Sequence, residues 1–142
     1  WTQTLEAFQN SACSLFNNIN PSKDSWLNAG SGLSSCSYAL VFGVKEVRVE
    51  LSIARSTQQE NKFIFDYLQQ HQSEIEQSFG EPLEWLRLDD KKSSRIQYRN
   101  LCDGYNKDNW PQLIEWLVEH MLLLELGLKK HLQKINKQLK HS

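Results

Sequence analysis

Apolar positions recur at helical spacing near the start of the chain, where Leu5, Phe8, Ala12, Leu15, Phe16 and Ile19 define one helix face. Asn20-Pro21 ends that pattern, because proline cannot continue the hydrogen-bond ladder and restricts the residue before it. A Gly- and Ser-rich stretch, residues 22–35, then reads as a loop anchored by Trp26 and Leu27. The pattern next shifts to period two. Tyr38, Leu40 and Phe42 alternate with Ala39 and Val41, and Val47, Val49, Leu51 and Ile53 alternate with Arg48, Glu50 and Ser52. Such alternation in β-branched residues predicts half-buried antiparallel strands, joined here across Gly43-Val44-Lys45-Glu46.

Thr57-x-x-Glu60 has the form of a capping box and predicts a helix start. Ile64, Leu68, Ile75 and Phe79 continue on one face of that helix, and Gly80 and Pro82 stop it. Residues 83–88 and 94–99 predict a second hairpin across Asp89-Asp90-Lys91-Lys92. Asp108 and Asn109 before Trp110-Pro111 supply the chemistry of a helix N-terminus. From there Ile114, Leu117, Met121, Leu124, Leu128, Leu132, Ile135 and Leu139 form a single stripe. It spans about seven turns, about 39 Å. That length predicts a far end that projects or packs on a partner. The expected fold is α+β: an antiparallel four-stranded sheet of two hairpins, packed with three helices, the last one long.

Residues 1–142 suit a single domain, and the start at Trp1, without an initiator Met, suggests a fragment of a longer protein. Hydrophobic residues make up 39% of the chain, too many for a disordered segment, and no run is long enough to span a membrane. The first residues lack the basic start of a signal peptide. Cys13, Cys36 and Cys102 are odd in number and far apart, which points away from a disulfide framework and toward a reducing, cytoplasmic setting. The formal net charge of −1 gives the whole chain no pull on nucleic acid or membrane, so any such attraction must be local.

Enzyme chemistry finds little support. A restriction-type nuclease strand needs Glu-x-Lys beside a further carboxylate to hold its metal, and this strand reads Glu50-Leu51-Ser52. Glu50 is expected to pair instead with Arg48 or a neighbouring strand. His71, His120, His131 and His141 show no ligand spacing, so no metal is expected. Gly30-Ser31-Gly32 precedes a strand rather than a helix, which removes the phosphate-loop reading, and no cofactor is implied.

Two features remain as candidate sites. Arg87, Lys91, Lys92, Arg95 and Arg99 surround the second hairpin with Trp85 and Tyr98 among them, a combination that suits phosphates and stacked bases. The plain alternative is a solvated turn whose lysines pair with Asp89 and Asp90. Lys129, Lys130, Lys134, Lys137 and Lys140 add charge to the last helix, where they also complement its dipole. The second feature is the far stripe of Leu128, Leu132, Ile135 and Leu139, a candidate interface with a second copy or a partner helix.

The stretches VRVELSI, ENKFIFDYL, IEQSFGEPLEWLRLDDKKSSRI and WPQLIEWL resemble an uncharacterised domain-of-unknown-function family of bacteria and archaea, over roughly residues 5–125. Its members occur alone or C-terminal to restriction-nuclease-like domains. The resemblance implies an accessory or recognition role beside nucleic acid and carries no assigned site residues. Two functions are therefore weighed: an accessory binding domain for nucleic acid, and a structural or oligomerisation domain built on the C-terminal helix.

Overall fold

The two strands with the strictest alternation form the middle of the sheet. A computed structural model describes residues 2–9, 26–33, 35–43, 45–102 and 107–140. In it β1 (Trp26–Gly30), β2 (Cys36–Phe42), β3 (Glu46–Ile53), β4 (Glu84–Leu86) and β5 (Ser94–Leu101) make one sheet in the order β1-β2-β3-β5-β4. Every neighbouring pair is antiparallel. The helices are α1 (Thr2–Gln9), α2 (Gln58–Gln70), α3 (Gln72–Phe79) and α4 (Trp110–Lys140), the last preceded by a 3₁₀ turn at Lys107–Asn109.

The sheet thus has five strands rather than the expected four, and there are four α-helices rather than three. The extra strand, β1, lies in the stretch expected to be a loop. Its weak signature is a two-step alternation, with Leu27 and Ala29 buried beside β2 and Asn28 and Gly30 exposed. The turn into β2 explains the Gly and Ser content. Ser31 Oγ donates to the Cys36 carbonyl at 2.6 Å and accepts from the Leu33 amide at 3.2 Å, while Gly32 holds a φ of 88° that favours glycine. The second hairpin forms, but β4 keeps only three residues on β5, from Glu84↔Gln97 to Leu86↔Arg95.

The extra helix arises from a break inside the expected one. His71 (φ −104°, ψ 19°) closes α2 and opens α3. Its amide donates to the Leu68 carbonyl at 3.0 Å, and its own carbonyl accepts from Ile75 at 2.9 Å. The predicted ends hold: the Thr57 hydroxyl accepts the Glu60 amide at the start of α2, and left-handed Gly80 closes α3. Of the first predicted helix, Leu5 is buried in α1, while Ala12, Leu15, Phe16 and Ile19 lie outside the described residues.

The described helices pack over the apolar face of the sheet, α4 and α2 directly on its strands and α1 and α3 against α4. Val47, Val49, Leu51 and Ile53 of β3 are fully buried beneath them, with Leu40, Tyr38 and Ile96 on the flanking strands. Ile64, Phe65 and Leu68 of α2 and Ile75 and Phe79 of α3 fill the layer above. The stripe of α4 completes it through Leu113, Leu117, Met121, Leu124, Leu128, Leu132 and Ile135. Gly127 admits the closest approach of α3, since a Cβ there would stand 3.3 Å from the Ile75 carbonyl oxygen.

The far half of α4, expected to project or to pack on a partner, packs within the chain through Leu128, Leu132 and Ile135. Leu128, Leu132 and Ile135 are each at most 2% exposed within the single chain, because the α2–α3 break turns α3 back along α4. The side chain of Leu139 lies outside the described residues. Leu132→Ala and Ile135→Ala are each expected to cost about 2–5 kcal/mol in urea unfolding. The midpoint of the wild-type transition should not move with protein concentration. A concentration-dependent midpoint would instead assign these side chains to an interface between chains.

Candidate functional site

The alternation that buries one sheet face places charge on the other. The register puts Arg48 opposite Arg99 and Glu50 opposite Gln97, with Glu84 beyond Gln97 on β4. Ion pairs lace this face: Arg48 with Glu46 at 3.6 Å and Glu50 at 3.5 Å, Arg95 with Glu50 at 3.4 Å, and Arg99 with Glu84 at 2.6 Å. Glu50 accordingly meets both Arg48 and the neighbouring strand. Most of these contacts are long. Arg48 Nε, Arg95 Nε and Gln97 Oε1 hold no hydrogen bond among the described residues, although each atom is shielded from water.

At one end of the face stands the β4–β5 turn, and α2 grips it from behind. Lys62 is buried, 8% exposed, and its ammonium donates to the carbonyls of Arg87, Leu88 (2.9 Å) and Ser93 (2.8 Å) and to Ser94 Oγ (2.9 Å). One helical turn earlier, Gln58 donates to the carbonyls of Asp89 and Lys91, and Asn61 donates to that of Lys92. Three consecutive turn-facing side chains of α2 therefore satisfy almost every carbonyl from residue 87 to 93. Leu88 is held at φ 55°, a left-handed conformation that costs a branched residue about 1–2 kcal/mol. Burial lowers the Lys62 pKa from the usual lysine value, and the nearby Arg87 guanidinium adds to this, while Asp89 and Asp66 oppose it. Arg87 closes the grip with a two-pronged pair to Asp66, at 2.9 and 3.0 Å, and a further contact to Asp89.

The residues singled out from the sequence separate into three groups. Lys91 and Lys92 are exposed at the turn, and neither takes part in an ion pair among the described residues. Arg87, Arg95 and Arg99 are half-exposed, and each is paired with carboxylates. Trp85 and Tyr98 lie on the helix side of the sheet. Trp85 donates to Glu76 at 3.1 Å and meets Phe65 edge-on, and Tyr98 stacks on Trp116 and His120. Basic and aromatic residues alternate in sequence along β5, so strand geometry sends them to opposite faces. Sequence reasoning missed Lys62, Asn61 and Gln58. The available signal was Lys62, a charged residue three positions before buried Phe65 and hence on the same helix face.

Elsewhere, burial pushes the Cys36 thiol up to about 11, which leaves it an inert thiol at neutral pH. Among the described residues one group has the donor types of a metal site, His71, Glu74 and His131 at the α2–α3 break. No helix among the described residues is long and apolar enough to cross a membrane.

An antiparallel sheet with helices packed on its apolar face and a clamped turn at its edge defines an α+β domain whose other face is charged and, at Ala39, Glu50 and Gln97, buried. The chain belongs to the family described as Domain of unknown function (DUF4268), whose model matches residues 1–132. No curated protein and no solved structure matches it.

Lys62→Met is expected to lower stability in urea by about 1–3 kcal/mol, because the carbonyls of Arg87, Leu88 and Ser93 each lose a charged donor. The Arg87 pair, with its hydrogen bonds, holds the Asp66 carboxyl below the usual aspartate range. A folded pKa below the unfolded one stabilises the fold above the unfolded value and is lost as pH falls through the folded value. The stability difference between wild type and Asp66→Asn should therefore be present at pH 7 and shrink below about pH 4.

Proposed function

We propose that this domain is a nucleic-acid recognition module that engages phosphates through the β4–β5 turn and the adjoining arginines, as an accessory to a nuclease-like partner. The observation that carries this reading is the clamp on the turn. A buried ammonium and two amides of α2 fix the path of residues 87–93, and Lys91 and Lys92 stand exposed on it beside the equally exposed Asp89 and Asp90. A recognition loop gains affinity when its backbone is already ordered, since less entropy is lost on binding. Arg95 and Arg99 stand half-exposed on β5; Arg95 is in a loose pair with Glu50 at 3.4 Å that a phosphate can enter, and Arg99 is held more tightly by Glu84 at 2.6 Å.

With Trp85 and Tyr98 turned into the helix layer, base stacking plays no part, and the contact reads backbone charge rather than sequence. The competing oligomerisation role requires an exposed stripe on α4. Burial of Leu128, Leu132 and Ile135 within the chain supports the recognition reading over that role.

Fluorescence anisotropy of labelled single- and double-stranded DNA and RNA tests the proposal. Micromolar affinity is expected at low salt, weakening steeply as salt rises. Replacing Lys91 and Lys92 by alanine should reduce the slope of log K against log salt by about two and affect all sequences alike. No binding at low salt, or equal binding by the double variant, would reject this site.

A further inference from the structure

His71 and Glu74 lie at the break between α2 and α3, one at the junction and the other in the first turn of α3. His131 reaches them from α4. His71 Nδ1 is 4.0 Å from Glu74 Oε2, His131 Nε2 is 3.9 Å from Glu74 Oε1, and the three donor atoms lie within 4.8 Å of one another. The rings of His71 and His131 lie face to face, with centroids 4.5 Å apart.

His131 is the unusual member. It is 1% exposed, yet neither ring nitrogen has a hydrogen-bond partner among the described residues. A buried imidazole without a partner forfeits about 1–3 kcal/mol of lost solvation per unsatisfied group. Nothing in the packing of a helix pair requires a histidine there, since a leucine would continue the stripe of Leu128, Leu132 and Ile135. Beside this orphaned nitrogen stand a second imidazole and a carboxylate, the donor types that borderline transition metals take together.

We propose that His71, Glu74 and His131 form a binding site for a divalent transition cation of the zinc class, which pins the α2–α3 junction to α4. Tetrahedral zinc with bonds of about 2.0–2.2 Å holds its donors about 3.3 Å apart, so these atoms need to close by about 1 Å. The exposed Glu74 side chain, on the outer side of the cluster, has the freedom to supply that movement. Lys130 contacts Glu74 Oε1, which orients the carboxylate and leaves Oε2 turned to His71. Three protein donors leave a fourth position for water or an exogenous ligand, and the exposure of Glu74 gives the ion a way in.

The test uses cobalt(II) and zinc(II) added to metal-stripped protein. One equivalent of cobalt is expected to give the intense visible bands of a four-coordinate site, and zinc should displace it and raise the melting temperature. Loss of an outer partner alone costs metal sites about 10–100-fold in affinity. Glu74→Gln and His71→Asn, both at solvent-accessible positions, should therefore weaken zinc at least tenfold while keeping the wild-type circular dichroism. Weak octahedral cobalt bands, binding without defined stoichiometry, or unchanged affinity in both variants would overturn the site.

Discussion

The packing of α4 along β3 and α3 is the contact on which the remaining structure depends. An antiparallel sheet with one polar face can bury only its other face, and three short helices are too little to cover five strands. The 31 residues of α4 do so with a single stripe, from Leu113 to Ile135. The stripe serves the sheet in its first half and the other helices in its second. Gly127 marks the changeover, where α3 comes so close that a Cβ would stand in tight contact, 3.3 Å, with the Ile75 carbonyl oxygen. The break at His71 follows from the same constraint. A straight helix from residue 58 to 79 would run past the sheet, whereas the bend turns Ile75 and Phe79 back into the core.

Polar groups on the sheet meet one another across the central strands, whereas those of the β4–β5 turn must be met from a helix. The short strand β4 offers three paired residues, too few to fix a following turn, and the left-handed Leu88 adds cost. Lys62 resolves this by carrying a charge into the protein and spending its hydrogens on carbonyls. Taking an ammonium from water is expensive, and it is tolerated here because three backbone oxygens and a hydroxyl surround it. Tying the turn to α2 in this way also makes it a rigid surface, which is the property the recognition proposal uses.

Much of the fold was legible because period and capping coincide. The strands β2 and β3, the Thr57 start, the Gly80 stop and the α4 stripe all follow from local pattern, and the structure keeps them. What escaped was set by tertiary contact. Strand β1 carries only Leu27 and Ala29 inward, too short an alternation to stand out from a Gly- and Ser-rich stretch. The break at His71 has no glycine or proline to announce it, since packing rather than propensity interrupts the helix. For the candidate site, the exposed lysines were visible in sequence, but their clamp was not, because it joins residues about thirty positions apart.

The same distinction explains why two histidines sixty positions apart in sequence gave no ligand spacing and yet meet in space. Each lies where another residue type would serve the fold: His131 in the apolar stripe of α4, and His71 at a break where a small cap residue would do. A structural role alone favours leucine at the first and asparagine or glycine at the second. Both positions instead hold imidazoles within reach of a single carboxylate. That coincidence is better explained by a shared ligand than by packing, because packing gains nothing from the two unpartnered nitrogens of His131. A cation bound there would hold α3 against α4 at the far end of the stripe, beyond the close contact at Gly127. It would thus act on the contact that sets the whole fold, at a distance from the turn where the lysines stand.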